Sequence, residues 1–195
     1  MGRHIIYVDG SVGVGKSTFI GILERTFRSV FEILDGNGKA TARRSNVEVL
    51  PEPLHRDWTN HIVAELGYQN LLHFLLARKI AAIESWSTGV ASDGLQELEN
   101  NVLIVERSLG GDRRVNADCE DLFDGLDVRY TGESVHHILI HNHIMENDEQ
   151  MRLNLLYNSL ELETNRRAIH RFVRPRFIST YHKEAAQIIQ AVLGI

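Results

Sequence analysis

The stretch Gly10-Ser11-Val12-Gly13-Val14-Gly15-Lys16-Ser17, followed by Thr18, decides the fold. It fits the pattern G-x-x-x-x-G-K-[ST] and follows a short β-rich run at residues 4–8. Apolar residues then recur at helical spacing over residues 19–31. A strand, this loop and a helix in that order are the context in which the pattern forms a phosphate-binding loop. The stretch therefore predicts a site for a nucleoside triphosphate.

The residue types of this loop suit phosphate chemistry. Glycines let successive backbone N–H groups turn inward around phosphate oxygens, and the helix N-terminus adds partial positive charge. Lys16 is expected to bridge the β- and γ-phosphates, and the Ser17 hydroxyl to ligate Mg²⁺. We therefore expect ATP and Mg²⁺ to be bound by Gly10, Ser11, Val12, Gly13, Val14, Gly15, Lys16, Ser17 and Thr18.

Strand-like and helical runs alternate along the rest of the chain. Short strands are predicted at residues 47–50, 102–105 and 126–130, and helices at 57–65, 68–86, 112–126, 152–172 and 181–193. This alternation predicts an α/β fold with a parallel sheet of about five strands and helices on both faces. A length of 195 residues favours one domain over residues 1–195.

Composition excludes several classes of protein. The chain has 21 Lys and Arg against 26 Asp and Glu, a net charge of −5, so we expect no nucleic-acid partner. The lone Cys119 excludes an internal disulfide and a cysteine zinc site. No apolar run reaches membrane-spanning length, and the N-terminus enters a strand at once. We therefore expect a cytoplasmic protein without a membrane partner.

Two carboxylate motifs follow predicted strands. Pro51-Glu52-Pro53 comes after one strand, with Trp58 further on, and Glu106-Arg107-Ser108 ends another, with Asp112-Arg113 beyond it. Ligands of open parallel sheets bind at the carboxyl ends of the strands. Glu52 and Glu106 are therefore expected to point toward the same crevice as the phosphate loop.

Taken together, these motifs resemble those of the deoxyribonucleoside kinase family, which includes deoxycytidine, deoxyguanosine and mitochondrial-type thymidine kinases. The motifs occur in the family's order over residues 7–117, and Tyr68-Gln69 resembles the family's Phe-Gln pair. The resemblance implies a P-loop kinase fold and a homodimer. It also implies ATP-dependent phosphorylation of the 5′-hydroxyl of a deoxyribonucleoside to its 5′-monophosphate, in nucleotide salvage.

The resemblance implies catalytic roles for Glu52 and Arg107, besides Lys16, and a metal-binding role for Glu106. Glu52 would accept the proton of the 5′-hydroxyl, Arg107 would hold that carboxylate in place, and Glu106 would orient Mg²⁺. The chemistry agrees with these roles, because a sugar hydroxyl is a poor nucleophile and needs a proton acceptor within hydrogen-bond reach.

Further residues are implied to bind the substrate. Gln69 would pair with the base edge, Asp112 would face the base and Arg107, and Trp58 would wall the sugar pocket. Glu149 resembles a glutamate that reads the 3′-hydroxyl, within a lid at residues 141–150. The family's lid is rich in arginine, whereas residues 141–150 contain none. Arg152, another arginine or the histidines would have to substitute, or the enzyme would be slow.

A histidine cluster overlaps the start of this lid. His136, His137, His141 and His143 lie within one short stretch of a chain that has ten histidines. The i, i+4 spacing of His137 and His141 places both imidazoles on one face of a helix, which is one way to hold a metal ion. The competing interpretation is a set of polar residues on a lid helix.

Two other functions stay open at this point. A nucleoside monophosphate kinase of the thymidylate type shares the loop and the size, although Glu52 would repel its acceptor phosphate. A nucleotide-binding pseudokinase would explain the missing lid arginines, although Lys16, Glu52, Glu106 and Arg107 are all present.

Overall fold

The computed structural model describes residues 2–10, 13–36, 46–52, 67–88, 100–108, 135–141 and 169–195. These ranges contain five strands and three helices. In chain order they are β1 (Gly2–Gly10), α1 (Lys16–Gly36), β2 (Asn46–Leu50), α2 (Tyr68–Thr88), β3 (Asn100–Glu106), β4 (Val135–His141), β5 (Ile169–Val173) and α3 (Ile178–Leu193).

The strands form one sheet in the order β2-β3-β1-β4-β5, and every neighbouring pair is parallel. β1 lies in the centre, where Val8 pairs with Glu106 of β3 on one side and with Ile138 of β4 on the other. The chain thus builds one half of the sheet before it crosses β1 to build the other. In such sheets ligands bind at the carboxyl ends of the strands, near the point where the order reverses.

Helices cover both faces of the sheet, as the sequence predicts. Alternate residues of β1 point to opposite faces, so that Ile6 and Val8 pack with α1 and α3 whereas Ile5 and Tyr7 pack on the side of α2. The interface between the sheet and the helices is fully buried on both faces, since Phe27 of α1 and Leu76 of α2 have no exposed surface. The predicted α/β architecture is therefore confirmed.

One predicted element is wrong at its end. The helical pattern assigned to residues 152–172 runs into β5, where Ile138 pairs with His170 and Ile140 with Phe172. Ile169 and Val173 are β-branched and alternate with Phe172 and His170, so the strand satisfies the local sequence as well as a helix does.

The remaining predicted elements differ in how far they can be compared. The helix predicted at 181–193 begins three residues earlier, at Ile178. The elements predicted at 57–65, 112–126 and 126–130 lie outside the described residues. No helix in the described ranges is long and apolar enough to cross a membrane.

Candidate active site

The phosphate loop begins where β1 ends and stops where α1 begins. Three of its glycines have positive φ: 150° at Gly10, 77° at Gly13 and 98° at Gly15. A Cβ on Gly15 would lie 2.5 Å from the Tyr181 hydroxyl, and one on Gly10 would lie 2.6 Å from the Ile140 carbonyl oxygen. The loop therefore needs glycine at these positions both for its backbone conformation and for space.

Lys16 lies in the first turn of α1 and is buried. Its Nζ donates to the Gly10 carbonyl at 3.2 Å, across the mouth of the loop. Burial, and then the positive charge of Arg107, lower the pKa of Lys16 from its usual value, while three nearby carboxylates act in the opposite direction. The ammonium is therefore held inside the loop among groups of both signs, in a position to meet an incoming anion.

Ser17 and Glu106 join the loop to the end of β3. The Ser17 hydroxyl donates to Glu106 Oε1 at 2.8 Å, and the Glu52 backbone N–H donates to Glu106 Oε2 at 3.3 Å. The two side chains place a hydroxyl oxygen and a carboxylate oxygen together, with Ser17 exposed. Hard oxygen donors of this kind fit Mg²⁺, which usually binds one or two carboxylates together with phosphates and water.

Glu52 and Arg107 form a buried ion pair beside this oxygen cluster. Arg107 Nε donates to Glu52 Oε1 at 2.9 Å, and a second guanidinium nitrogen reaches Glu52 Oε2 at 3.4 Å. The side chains are 1% and 9% exposed, for Arg107 and Glu52 respectively. Charge-assisted contacts of this kind fix orientation as well as charge, so the Glu52 carboxylate is held in one place.

Arg107 lies on a turn with an unusual backbone. Its φ is 66°, and it is the one residue other than glycine with positive φ among the described residues. For such a residue the left-handed conformation costs about 1–3 kcal/mol, and it persists where the surroundings impose it. Here the Arg107 N–H donates to the Val8 carbonyl at 2.9 Å, and the Ser108 N–H donates to Asp9 Oδ1 at 2.9 Å.

Lys79 holds the other side of the same turn. Its Nζ donates to the Glu106 carbonyl at 3.0 Å and to the Arg107 carbonyl at 2.7 Å. Lys79 comes from the middle of α2 and is 3% exposed. The turn that carries Glu106 and Arg107 is thus fixed by β1 through its N–H groups and by α2 through its carbonyls.

The C-terminal part of the chain contacts the phosphate loop from outside. Arg174, which follows β5, donates to the Gly13 carbonyl at 3.1 Å, and the Tyr181 hydroxyl of α3 lies 3.4 Å from the Val14 carbonyl. Tyr181 also packs against Phe19 of α1 and Phe172 of β5. The Gly13 and Val14 carbonyls thus accept hydrogen bonds from the C-terminal part of the chain.

Solved structures of other proteins share this architecture. A thymidylate kinase from Ehrlichia chaffeensis superposes with a TM-score of 0.55 at 14% sequence identity, covering 97% of this chain and 100% of that chain. The chain has a P-loop kinase fold. A gluconokinase from Sinorhizobium meliloti 1021 matches at a TM-score of 0.37 and 15% identity, over 98% of this chain and 94% of that chain. No protein-family model and no curated protein matches the sequence.

The P-loop kinase fold confirms the fold predicted from the sequence, whereas membership in the deoxyribonucleoside kinase family stays a prediction from the motifs. Within this fold, Glu52, Glu106 and Arg107 lie with Lys16 and Ser17 at the carboxyl ends of the strands. The two carboxylate motifs therefore lie next to the phosphate loop, at the edge of the sheet where the sequence predicts them.

Several predicted residues are not described in detail. Ser11, Val12, Trp58, Asp112 and Glu149 lie outside the described residues. Gln69 lies in the first turn of α2, and its side chain is not described. Thr18 is exposed in the first turn of α1.

Two residues of the site escaped the sequence analysis. Asp9 precedes the phosphate loop, and its apolar strand neighbours gave a hint that it is buried. Lys79 interrupts a helix whose apolar residues lie on more than one face, which is the pattern that indicates a buried charge with a partner. Neither hint names the partner, because both partners come from distant parts of the chain.

The prediction that the histidine cluster lies on a helix is wrong for the three histidines that the structure describes. His136, His137 and His141 lie in β4, whose last residue is His141, and residues 142–150 of the predicted lid lie outside the described residues. His137 and His141 are four residues apart on a strand, or about 13 Å, which is too far for one metal ion. The described residues hold no group of three or more His, Cys, Asp or Glu arranged for a metal.

The histidines of β4 instead pack with residues of β1. The His136 ring lies 5.7 Å from that of His4, and the His137 ring stacks on Tyr7 at 5.1 Å. Burial lowers the pKa of His136 to about 4, and neighbouring histidines contribute in the same direction. Burial also lowers the pKa of His4 and of His170. These side chains are therefore uncharged parts of the fold at neutral pH.

Proposed function

We propose that the protein is a kinase that transfers the γ-phosphoryl group of ATP to the 5′-hydroxyl of a deoxyribonucleoside. The observation that carries this proposal is the position of Glu52. Its carboxylate is held by Arg107 at 2.9 Å, and its backbone N–H donates to Glu106, which accepts from Ser17 of the phosphate loop. A proton acceptor therefore lies next to the place where a γ-phosphate would be held.

The nucleotide half of the site would use the loop, Lys16, Ser17 and Glu106. The inward N–H groups and the Lys16 ammonium would bind the phosphates, and Ser17 with Glu106 would hold Mg²⁺. When bound, Mg²⁺ supplies neutralisation of the charge on the β- and γ-phosphates. Glu106 would also keep its contact with the Glu52 N–H, so that both halves of the site share one carboxylate.

The acceptor half of the site would use Glu52 and Arg107. The hydroxyl oxygen forms a bond to the γ-phosphorus, the bond from that phosphorus to the bridging oxygen breaks, and ADP leaves. The hydroxyl proton passes to a Glu52 carboxylate oxygen. Arg107 keeps the carboxylate oriented, and its positive charge balances that of Glu52 within the buried ion pair. Gln69, Trp58, Asp112 and Glu149 are proposed to bind the nucleoside.

Phosphorylation of a nucleoside monophosphate is the second candidate. The observation in its favour is the buried Arg107, because a guanidinium in the crevice could bind the acceptor's phosphate. The neighbour from Ehrlichia chaffeensis is a thymidylate kinase, and that likeness concerns the fold. Against this candidate, both oxygens of Glu52 already face Arg107, so the pair offers an acceptor phosphate no net positive charge.

An assay with purified protein separates these functions. ATP, Mg²⁺ and each of the common deoxynucleosides form one panel, and the corresponding deoxynucleoside monophosphates form the other. We expect ADP and a 5′-monophosphate from at least one deoxynucleoside, and no product with Lys16→Ala. Product from thymidine monophosphate but from no nucleoside would establish the second candidate. Nucleotide binding without transfer to either panel would indicate a pseudokinase.

A further inference from the structure

We infer that Lys79 is a positioning residue that holds the turn bearing Glu106 and Arg107 in its working conformation. The inference rests on the proposed function, because it gives these two side chains their roles. Lys79 touches the carbonyl oxygens of both residues, at 3.0 Å and 2.7 Å. These contacts are to the backbone of the turn.

The turn needs such a support. β3 ends at Glu106, and the chain then adopts a positive φ at Arg107 that residues other than glycine disfavour. In that conformation the carbonyls of Glu106 and Arg107 lie close enough to share one donor group. A buried carbonyl without a donor is unfavourable, so a cation that serves both carbonyls stabilises this conformation over an extended one.

The position of Lys79 also favours this role over a general stabilising one. A lysine ammonium has three N–H donors, and burial at 3% exposure requires that they be used. The N–H groups of the same turn are taken by Val8 and Asp9 of β1. Lys79 therefore supplies from α2 the hydrogen-bond donors for the carbonyls of the turn. The first turn of α2 carries Gln69, so one helix contributes both a proposed substrate residue and the support of the turn.

The effect would reach both halves of the site. A shift of the turn moves Glu106 relative to Ser17, which are 2.8 Å apart, and moves Arg107 relative to Glu52, which are 2.9 Å apart. A misplacement of about 1 Å that arises away from the reacting atoms can lower turnover by about 100-fold in enzymes that depend on alignment. The contacts of the loop N–H groups with the phosphates depend on β1 and α1, so at saturating Mg²⁺ the affinity for ATP should change little.

Lys79→Met tests the inference, with Lys79→Arg as the conservative variant and Lys183→Met, on the exposed face of α3, as the matched control. We expect Lys79→Met to lower kcat about 100-fold while KM for ATP, measured at saturating Mg²⁺, stays within about threefold. Lys79→Arg should recover about tenfold of that loss because it keeps the donors. Lys183→Met should match the wild type.

Amide hydrogen exchange gives a readout that needs no turnover. In Lys79→Met the Arg107 and Ser108 amides should exchange about tenfold faster or more, while the Ile104 amide inside β3 keeps its protection. Wild-type exchange at Arg107 and Ser108 in this variant would overturn the inference. So would faster exchange at Ile104, which would make Lys79 a residue of general stability. Failure of the wild type to phosphorylate any acceptor would instead overturn the proposed function, and the exchange result would still decide the role of Lys79 in holding the turn.

Discussion

The Ser17 hydroxyl donates a 2.8 Å hydrogen bond to the Glu106 carboxylate although 89 positions of sequence separate the two residues. One residue belongs to the start of α1 and the other to the end of β3, and the pairing of β1 with β3 brings them together. The contact couples a loop that we propose holds phosphates to a strand end that we propose borders the acceptor. Two oxygen ligands of a proposed Mg²⁺ site are thus set by sheet topology.

Glu106→Gln should weaken the binding of Mg²⁺ at the proposed site. The amide keeps one oxygen but loses the negative charge, so the Mg²⁺ concentration that gives half-maximal binding of ATP should rise about tenfold or more. Titration calorimetry with ATP at several Mg²⁺ concentrations measures it. Glu48→Gln, an exposed carboxylate on β2, is the control. An unchanged Mg²⁺ dependence in Glu106→Gln would remove Glu106 from the metal site.

Glu52→Gln should separate binding from transfer. Without a proton acceptor, kcat should fall about 100- to 10,000-fold, the range found for general bases. Affinity for ATP should hold, because the loop and Lys16 do not use the Glu52 side chain for phosphate contact. Steady-state kinetics and equilibrium ATP binding on the same sample measure both quantities. Full activity of this variant would show that Glu52 is not the base.

Arg107→Gly should be more stable to unfolding than Arg107→Ala, the reverse of the order expected in a helix or strand. Both leave the buried Glu52 without Arg107, which should lower the free energy of unfolding by about 3–5 kcal/mol. Glycine tolerates a φ of 66° whereas alanine does not, so Arg107→Gly should be the more stable of the two by about 1 kcal/mol. Urea unfolding compares them. If alanine proved equally stable, the turn would carry no backbone strain in solution.

Acid should destabilise the protein through the histidines of β1, β4 and β5. The pKa of His136 is about 4 in the folded protein and near 6.5 when unfolded, so the unfolded chain binds the proton more readily. Stability is therefore complete above pH 6.5 and declines as the pH falls toward 4. His136 alone should contribute about 1–2 kcal/mol of loss between pH 7.5 and pH 5, and His4 and His170 act in the same direction.

His136→Leu provides the comparison for this effect. An apolar side chain of similar size cannot titrate, so urea unfolding at pH 7.5, 6 and 5 should give a shallower pH dependence than the wild type. His182→Leu, on the exposed side of α3, should keep the wild-type slope. If the free energy of unfolding of the wild type and of His136→Leu depended on pH in the same way, His136 would have the same pKa in the folded and unfolded chains.

Local patterns were enough to predict the elements that build the nucleotide half of the site. The β1 run, the glycines of the loop and the apolar spacing of α1 are signals within a single window of sequence. Glu106 was found in the same way, because it ends a continuous apolar strand. The alternation of strands and helices then predicted a parallel sheet, and the carboxyl ends of parallel strands meet at one edge of such a sheet.

The misses have a common physical origin. The sequence predicts a helix through most of β5 because a short apolar run fits either period, and pairing with β4 decides between them. His137 and His141 share a face in a helix and also in a strand, so their spacing alone did not reveal the element. Lys79 was missed because its partners are carbonyls 27 and 28 positions away, which no local pattern encodes.

The contacts of Arg174 and Tyr181 with Gly13 and Val14 connect the last part of the chain to one of its first loops, across 161 and 167 positions. A ribosome releases the chain from its N-terminus, so the loop emerges long before the segments that brace it from outside. The phosphate loop therefore gains its contacts with Arg174 and Tyr181 only once β5 and α3 have been synthesised.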